Sequence, residues 1–97
     1  SLSAFQRESR DFAFVINEDV TAEMITSAAN KVDKELITGT DVFDVFAGGN
    51  LEEGKKSMAL SITLQPMDRT LTDAEIEEVA KKVVASVTKA TGAALRM

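Results

Sequence analysis

Cysteine and histidine are both absent from this sequence, and each absence removes a class of chemistry. Without cysteine there is no disulfide framework and no thiolate nucleophile, which fits a reducing cytosol. Without histidine the chain lacks the usual general base at neutral pH and the commonest metal ligand. Ser-His and Cys-His nucleophile systems and most zinc sites are therefore excluded within this chain.

Proline, glycine and long apolar runs are also scarce. One proline and five glycines among 97 residues leave no segment with the composition of a linker. The longest apolar runs, such as 12–16, are far shorter than the about 20 residues that a membrane-spanning helix needs. We expect no targeting segment at the start, and we expect residues 1–97 to form one domain.

The balance of charge argues against nucleic acid as a partner. The 11 basic residues are outnumbered by 16 acidic ones, which gives a formal net charge of −5. A domain that binds nucleic acid usually presents a basic surface. RNA binding would therefore require the basic residues to cluster, or most phosphate contacts to come from other parts of a larger assembly.

Hydrophobic periodicity predicts both strands and helices. Strict alternation indicates strands at 11–16, 41–46 and 57–65, and a short last strand is predicted at 93–96. Thr21 is a suitable N-cap for a first helix at 22–34. A second helix is predicted from its start and stop signals, which are a capping box formed by Thr72 and Glu75 and a C-terminal Gly92.

The order β-α-β-β-α-β predicts an α+β fold of the ferredoxin-like type, a four-stranded antiparallel sheet with two helices on one face. The other face would then be open to solvent. Phe46 would be its one large aromatic residue, and periodicity alone leaves open whether Phe46 is a core residue or a stacking platform. The alternation places these residues on the open face: Asp11, Ala13, Val15, Val42, Asp44, Phe46, Ser57, Ala59, Ser61, Thr63 and Gln65.

The sequence matches two motifs of nucleotide-binding proteins only in part. Segment 49–55 is similar to a Walker A loop, but Lys56 stands where Ser or Thr should hold magnesium, and the segment leads into a strand. A hairpin loop is the better interpretation. The RNA-recognition motif shares the predicted element order, but the third strand here has no aromatic residue on which a base could stack.

Five segments, taken together, carry a family resemblance. They are RDFAFV at 10–15, VFDVF at 42–46, GKKSMA at 54–59, RTLTDAEI at 69–76 and GAALR at 92–96. In order and spacing they resemble the ferredoxin-fold anticodon-binding domain that ends the β subunit of bacterial phenylalanyl-tRNA synthetases. Each segment alone is a weak signal, but five in register are specific.

The resemblance implies a role and a set of contact residues. Such domains dock on the anticodon stem-loop of phenylalanine tRNA through the open sheet face. By position, the RNA-binding residues would be Ala13, Asp44, Phe46, Ser57 and Arg96. The resemblance implies no catalytic and no metal-binding residue in this chain.

Each of these residues has a chemistry that suits unpaired nucleotides. Phe46 would stack on a base, Asp44 and Ser57 would hydrogen-bond base edges, and Ala13 would allow close approach. Arg96 would stack on a base or pair with a phosphate. Further phosphate contacts would be Arg10, Lys55, Lys56 and Arg69.

The resemblance also implies a larger cytoplasmic enzyme around this domain. The parent protein would be an (αβ)2 heterotetramer that attaches phenylalanine to its tRNA with ATP and magnesium, and those activities would lie in other domains. The chain would then be a non-catalytic fragment with no cofactor of its own and no membrane partner. Two rival functions stay open: a ferredoxin-like regulatory domain that binds a small ligand, and a structural domain that buries its open face against a partner protein.

Overall fold

The computed structural model describes residues 5–96 and shows strands and helices in the predicted order. The elements are β1 (Glu8–Asn17), α1 (Ala22–Asn30), β2 (Ile37–Ala47), β3 (Lys55–Leu64), α2 (Asp73–Thr91) and β4 (Ala94–Leu95). The strands form one antiparallel sheet in the spatial order β2-β3-β1-β4. This confirms the ferredoxin-like α+β fold.

Both helices cover the same face of the sheet. The apolar positions of the central strands, such as Phe14 in β1 and Leu60 in β3, are fully buried beneath the helices. Ile25 of α1 and Val83 of α2 belong to the same buried cluster. The predicted arrangement of two helices on one face is therefore confirmed, and within residues 5–96 no helix lies over the opposite face.

The predicted helix caps are present and explain where the helices start. The Thr21 hydroxyl accepts a hydrogen bond from the Met24 backbone N–H at 3.2 Å. At the start of α2, the Thr72 N–H donates to the Glu75 carboxylate at 2.9 Å and the Glu75 N–H donates to the Thr72 hydroxyl at 3.1 Å. Gly92 ends α2 with φ 76°, a left-handed conformation that glycine adopts without a steric penalty.

The first helix is shorter than predicted, because it ends at Asn30 and not near residue 34. Asp33 accounts for the early end: its carboxylate accepts the backbone N–H groups of Glu35 at 3.2 Å and Leu36 at 3.0 Å. An Asp side chain that bonds nearby backbone in this way competes with helix continuation. Val32 still packs against the core, so the apolar spacing continues after the helix has stopped.

A β-bulge in β2 corrects one predicted facing. Val42 pairs with Leu60, whereas Asp44 pairs with Ala59, so the register shifts by one residue between them. Val42 consequently packs against the core side, although strict alternation placed it on the open face with Asp44. The extra residue at the bulge is Phe43.

Neither helix within the described part of the chain is long and apolar enough to cross a membrane.

Candidate nucleic-acid interface

The sheet face without helices, called the open face below, is built from cross-strand rows. Residues paired across antiparallel strands point to the same side, and successive rows along a strand lie roughly 6.5–7 Å apart. The small and polar side chains of β3 run down the middle of this face, between β2 and β1. They are Ser57, Ala59, Ser61 and Thr63.

The first row of the site, called the stacking row, places Phe46 beside Ser57 and Ser57 beside Val15. Phe46 is 43% exposed and lies on the open face, so the interpretation of Phe46 as a core residue is wrong. Its side chain points away from the helices because it pairs with Ser57, whose neighbour Met58 is the one that enters the core.

Arg96 lies opposite Ala13 beyond β1, and its side chain extends to the stacking row. Its backbone N–H donates to the Ala13 carbonyl at 2.6 Å, which continues the β4–β1 pairing by one residue. Its guanidinium carbon lies 5.3 Å from the centre of the Phe46 ring, and its Nη1 donates to the Ser57 hydroxyl at 3.3 Å. The Arg96 side chain thus crosses the open face and contacts both Phe46 and Ser57.

Ser57 is only 4% exposed although it lies on the open face. The Arg96 side chain that reaches Phe46 also bonds the Ser57 hydroxyl, so the hydroxyl already serves as an acceptor for the guanidinium. A direct contact between Ser57 and a base therefore requires Arg96 to move. In the free domain the Ser57 hydroxyl therefore bonds the guanidinium that lies over the aromatic ring.

The second row lies next to the stacking row and contains Ala13, Ala59 and Asp44. The two alanines form a low floor, over which a planar group could lie close to the sheet. Asp44 is exposed at the β2 end of the row and presents a carboxylate acceptor. All five predicted site residues, including Arg96 opposite Ala13, therefore lie in two adjacent rows.

Charged side chains lie in several rows of the open face. Beyond the second row, Asp11 and Asp41 flank Ser61 in a row that carries two carboxylates. At the other end, beyond the stacking row, Lys55 pairs with Asn17. Lys55 thus lies at the hairpin end of this face, Arg96 and Asp44 share the second row, and Asp11 and Asp41 lie in the row beyond it.

The structure places the four further candidate phosphate contacts in different parts of the domain. Arg10 forms an ion pair with Glu77 of α2 at 3.7 Å, which draws it toward the helix side. Lys56 pairs with Ile16 and Ala47 and so belongs to the helix-covered side as well. Lys55 is the one of the four whose pairing places it on the open face.

Arg69, the last of the four, is held by acidic partners near the start of α2. It pairs with Asp68 at 3.3 Å and with the Glu75 carboxylate. The hydrogen bond from Arg69, followed by that from the Thr72 backbone N–H, holds the pKa of the Glu75 carboxyl below its usual value. The same partnership raises the pKa of Arg69.

A second surface feature bears on the rival functions. An apolar groove of about 350 Å³ lies between α2 and the edge of the sheet, lined chiefly by Phe12, Ala80, Val84 and Leu95. It is on the helix side and shares no lining residue with the two rows of the open face.

Across residues 5–96, no group of three or more Asp and Glu side chains is placed to hold a metal ion.

The Arg96–Phe46 contact and the burial of Ser57 were not predicted from the sequence. The alternation of β3 placed Ser57 on the open face, but nothing local indicates that a residue near the end of the chain covers it. The contact depends on the pairing of β4, whose two residues carry too short a pattern to define a register.

The fold and these two rows define a ferredoxin-like domain with an uncovered sheet face that carries an aromatic ring, a guanidinium and a carboxylate. The model of the ferredoxin-fold anticodon binding domain family matches residues 3–96, so the chain belongs to that family.

Curated relatives are similar over nearly the whole chain. Phenylalanine–tRNA ligase β subunits from Bradyrhizobium diazoefficiens and Rhodopseudomonas palustris are 59% and 55% identical to it, each over 98% of the chain. The corresponding subunit from Brucella abortus is 52% identical over 99% of the chain. The chain spans about 12% of the length of these relatives.

Proposed function

We propose that this chain is the anticodon-binding domain of a phenylalanyl-tRNA ligase β subunit and that it binds the anticodon stem-loop of phenylalanine tRNA on its open face. The observation that carries the proposal is the cluster of Phe46, Arg96 and Ser57 on that face, in a chain of this family. Single-stranded loops are recognised by proteins that stack splayed bases on aromatic or guanidinium planes and bond their exposed edges.

In this proposal the stacking row receives one unpaired base. Phe46 and the guanidinium of Arg96 offer planar surfaces 5.3 Å apart from ring centre to guanidinium carbon, and Phe46 is half-exposed. The Asp44 carboxylate, one row away, accepts hydrogen bonds from the amino or imino groups of a base edge. Ala13 and Ala59 keep the floor low enough for the base to approach the backbone.

The remaining parts of the proposal concern the parent protein. It is a cytoplasmic phenylalanine–tRNA ligase in which this β-subunit domain works beside an α subunit, as an (αβ)2 heterotetramer, with ATP and magnesium bound in other domains. We propose that residues 1–97 act as one domain of that larger subunit.

Replacement of Phe46 by Ala in the parent enzyme tests the assignment. Loss of a stacking partner costs about 1–3 kcal/mol, so we expect kcat/KM for tRNA in aminoacylation to fall roughly 5- to 150-fold. Amino-acid activation, measured by phenylalanine-dependent ATP–pyrophosphate exchange, should be unchanged, because the proposal separates the two sites.

Val45→Ala is the matched control for that experiment. Val45 precedes Phe46 in β2, is 49% exposed, and pairs with Met58 on the other side of the sheet. Aminoacylation by Val45→Ala should resemble that of the unmodified enzyme. If Phe46→Ala also retained unchanged kinetics for tRNA, the open face would not be the docking surface.

A further inference from the structure

We propose that Lys55, positioned by Asn17, holds a phosphate of the RNA strand whose base occupies the stacking row. This inference rests on the proposed function and adds the path of the RNA backbone across the sheet. It follows from the placement of Lys55, from its hydrogen bond, and from the distribution of charge over the open face.

The placement of Lys55 is defined by the sheet register. Lys55 pairs with Asn17 and lies two residues before Ser57 in β3, so both side chains point to the open face. The distance between such neighbours is roughly 6.5–7 Å along the strand. A nucleotide whose base lies on the stacking row can therefore bring its own or the adjacent phosphate to this row.

The ammonium group of Lys55 is held in place and retains donors. Its Nζ donates to the Asn17 side-chain oxygen at 2.8 Å, and the residue is half-buried. A lysine ammonium has three N–H donors, and this bond uses one of them. Among the ion pairs formed within residues 5–96, none involves Lys55, so its charge is not neutralised by a carboxylate at contact distance.

The carboxylates of the open face also limit where the RNA backbone can lie. Asp11 and Asp41 flank Ser61, on the far side of the second row from Lys55. Like charges repel, so a phosphate chain is disfavoured over that row. The row of Lys55 and Asn17 carries a cation and no carboxylate, and the nearest acids in sequence, Glu52 and Glu53, lie in the hairpin outside the sheet. The RNA backbone therefore crosses the sheet near the β2–β3 hairpin, and the bound base points from there toward Asp44.

The salt dependence of binding tests this inference directly. The 97-residue chain would be titrated with a labelled anticodon stem-loop of phenylalanine tRNA at several salt concentrations. One phosphate contact to a single strand contributes about 0.7 to the slope of log K against log salt. We expect Lys55→Gln to reduce the slope by about that amount and to weaken binding about three- to tenfold at low salt. Stem-loops with altered anticodon bases should be affected equally, since phosphate contacts carry no sequence information.

Two variants separate charge from structure. Lys55→Arg keeps the charge and should keep the slope, which excludes a merely structural effect on the hairpin. Lys34→Gln removes the same charge from the exposed connection between α1 and β2, at the other end of the sheet, and should leave slope and affinity nearly unchanged. The folded state of each variant would be checked by its circular dichroism and thermal midpoint.

The outcomes distinguish this inference from the proposed function. If Phe46→Ala weakens binding while Lys55→Gln leaves the slope unchanged, the phosphate position is wrong and the docking face stands. If neither variant changes binding, both proposals are overturned.

Discussion

Arg96 lies over the Phe46 ring in the free domain and so occupies a surface that a base would use. Two arrangements are compatible with base binding: the base stacks on the outer side of the guanidinium, or it displaces the guanidinium and contacts the ring. An exposed cation–π contact contributes about 0.5–1 kcal/mol, whereas base–aromatic stacking contributes about 1–3 kcal/mol. A base can therefore displace the guanidinium at an accessible energetic cost. Stacking on the guanidinium requires the planar shape of Arg96, whereas stacking on the ring requires the Arg96 side chain to move.

Arg96→Lys tests whether the plane of the guanidinium matters beyond its charge. A lysine keeps the positive charge but cannot stack or make bidentate contacts. If the base stacks on the guanidinium, we expect the affinity for the anticodon stem-loop to fall at least about fivefold, corresponding to about 1 kcal/mol of lost stacking, with the salt slope retained. If the base instead displaces the guanidinium and stacks on Phe46, the affinity should change little. Equal affinities of the two proteins across salt concentrations would show that the base does not stack on the guanidinium and that Arg96 contributes only its charge.

Glu75 predicts a pH dependence of stability that is separate from RNA binding. Its pKa is lowered in the folded state, chiefly by the hydrogen bond from Arg69 and next by that from the Thr72 backbone. A carboxyl group whose pKa is depressed in the folded state stabilises the fold at pH values above its unfolded-state pKa of about 4.3. That contribution is lost as the pH falls through the folded-state pKa.

Glu75→Gln isolates this effect because glutamine can still complete the capping box. In chemical denaturation between about pH 3 and pH 6, the unmodified protein should be the more stable near pH 6. The difference should shrink as the pH falls below the unfolded-state pKa. A difference that is constant with pH would mean that the carboxyl pKa is not depressed in the folded state.

At the scale of elements, β2 determines which side chains reach the open face. The bulge lies between Val42 and Asp44, so Asp41 and Asp44 both point outward while Val42 packs under the helices. Without the extra residue Phe43, the side chains on one half of β2 would point to the opposite face of the sheet.

Paired substitutions in β2 test this facing through the free energy of unfolding. Val42→Ala removes methyl groups from a partly buried position and should cost about 1 kcal/mol. Asp44→Ala changes an exposed site and should alter stability by less than about 0.5 kcal/mol. The reverse order of these two costs, measured by urea unfolding, would contradict the register.

The parts of this fold that were predicted from sequence are those governed by local chemistry. Thr21, Thr72 with Glu75, and Gly92 act on backbone groups within a few residues, so their patterns predicted helix starts and an end that the structure confirms. The end of α1 was wrong because the apolar spacing continued to Val32 while Asp33 had already turned the chain. The bulge was missed because it depends on backbone conformation that alternation does not encode.

In the candidate site, too, local patterns predicted some residues, while contacts made by the assembled sheet were not predicted. Ala13, Asp44, Phe46 and Ser57 were placed on the open face by period-two alternation. Arg96 came from the family resemblance alone, and its contact with Phe46 required the pairing of β4 with β1. A contact between residues far apart in sequence is a property of the assembled sheet, so no local pattern predicts it.

At the scale of the whole molecule, a net charge of −5 limits non-specific attraction to RNA. The open face answers part of this objection, because Lys55 and the Arg96 guanidinium lie near the stacking row while Asp11 and Asp41 lie beyond the second row. Two cations are few for a phosphate backbone, and the chain spans about 12% of its relatives' length. We therefore expect weak binding by the isolated chain and further phosphate contacts from the rest of the parent enzyme.

Chemical-shift mapping of the labelled chain with the anticodon stem-loop of phenylalanine tRNA is the most direct measurement, and weak binding in fast exchange suits it. We predict perturbations that cluster on the two rows around Phe46, Asp44, Ala13 and Arg96 and that extend to Lys55. Perturbations confined to α1 and α2, or to the apolar groove between α2 and the sheet edge, would contradict docking on the open face.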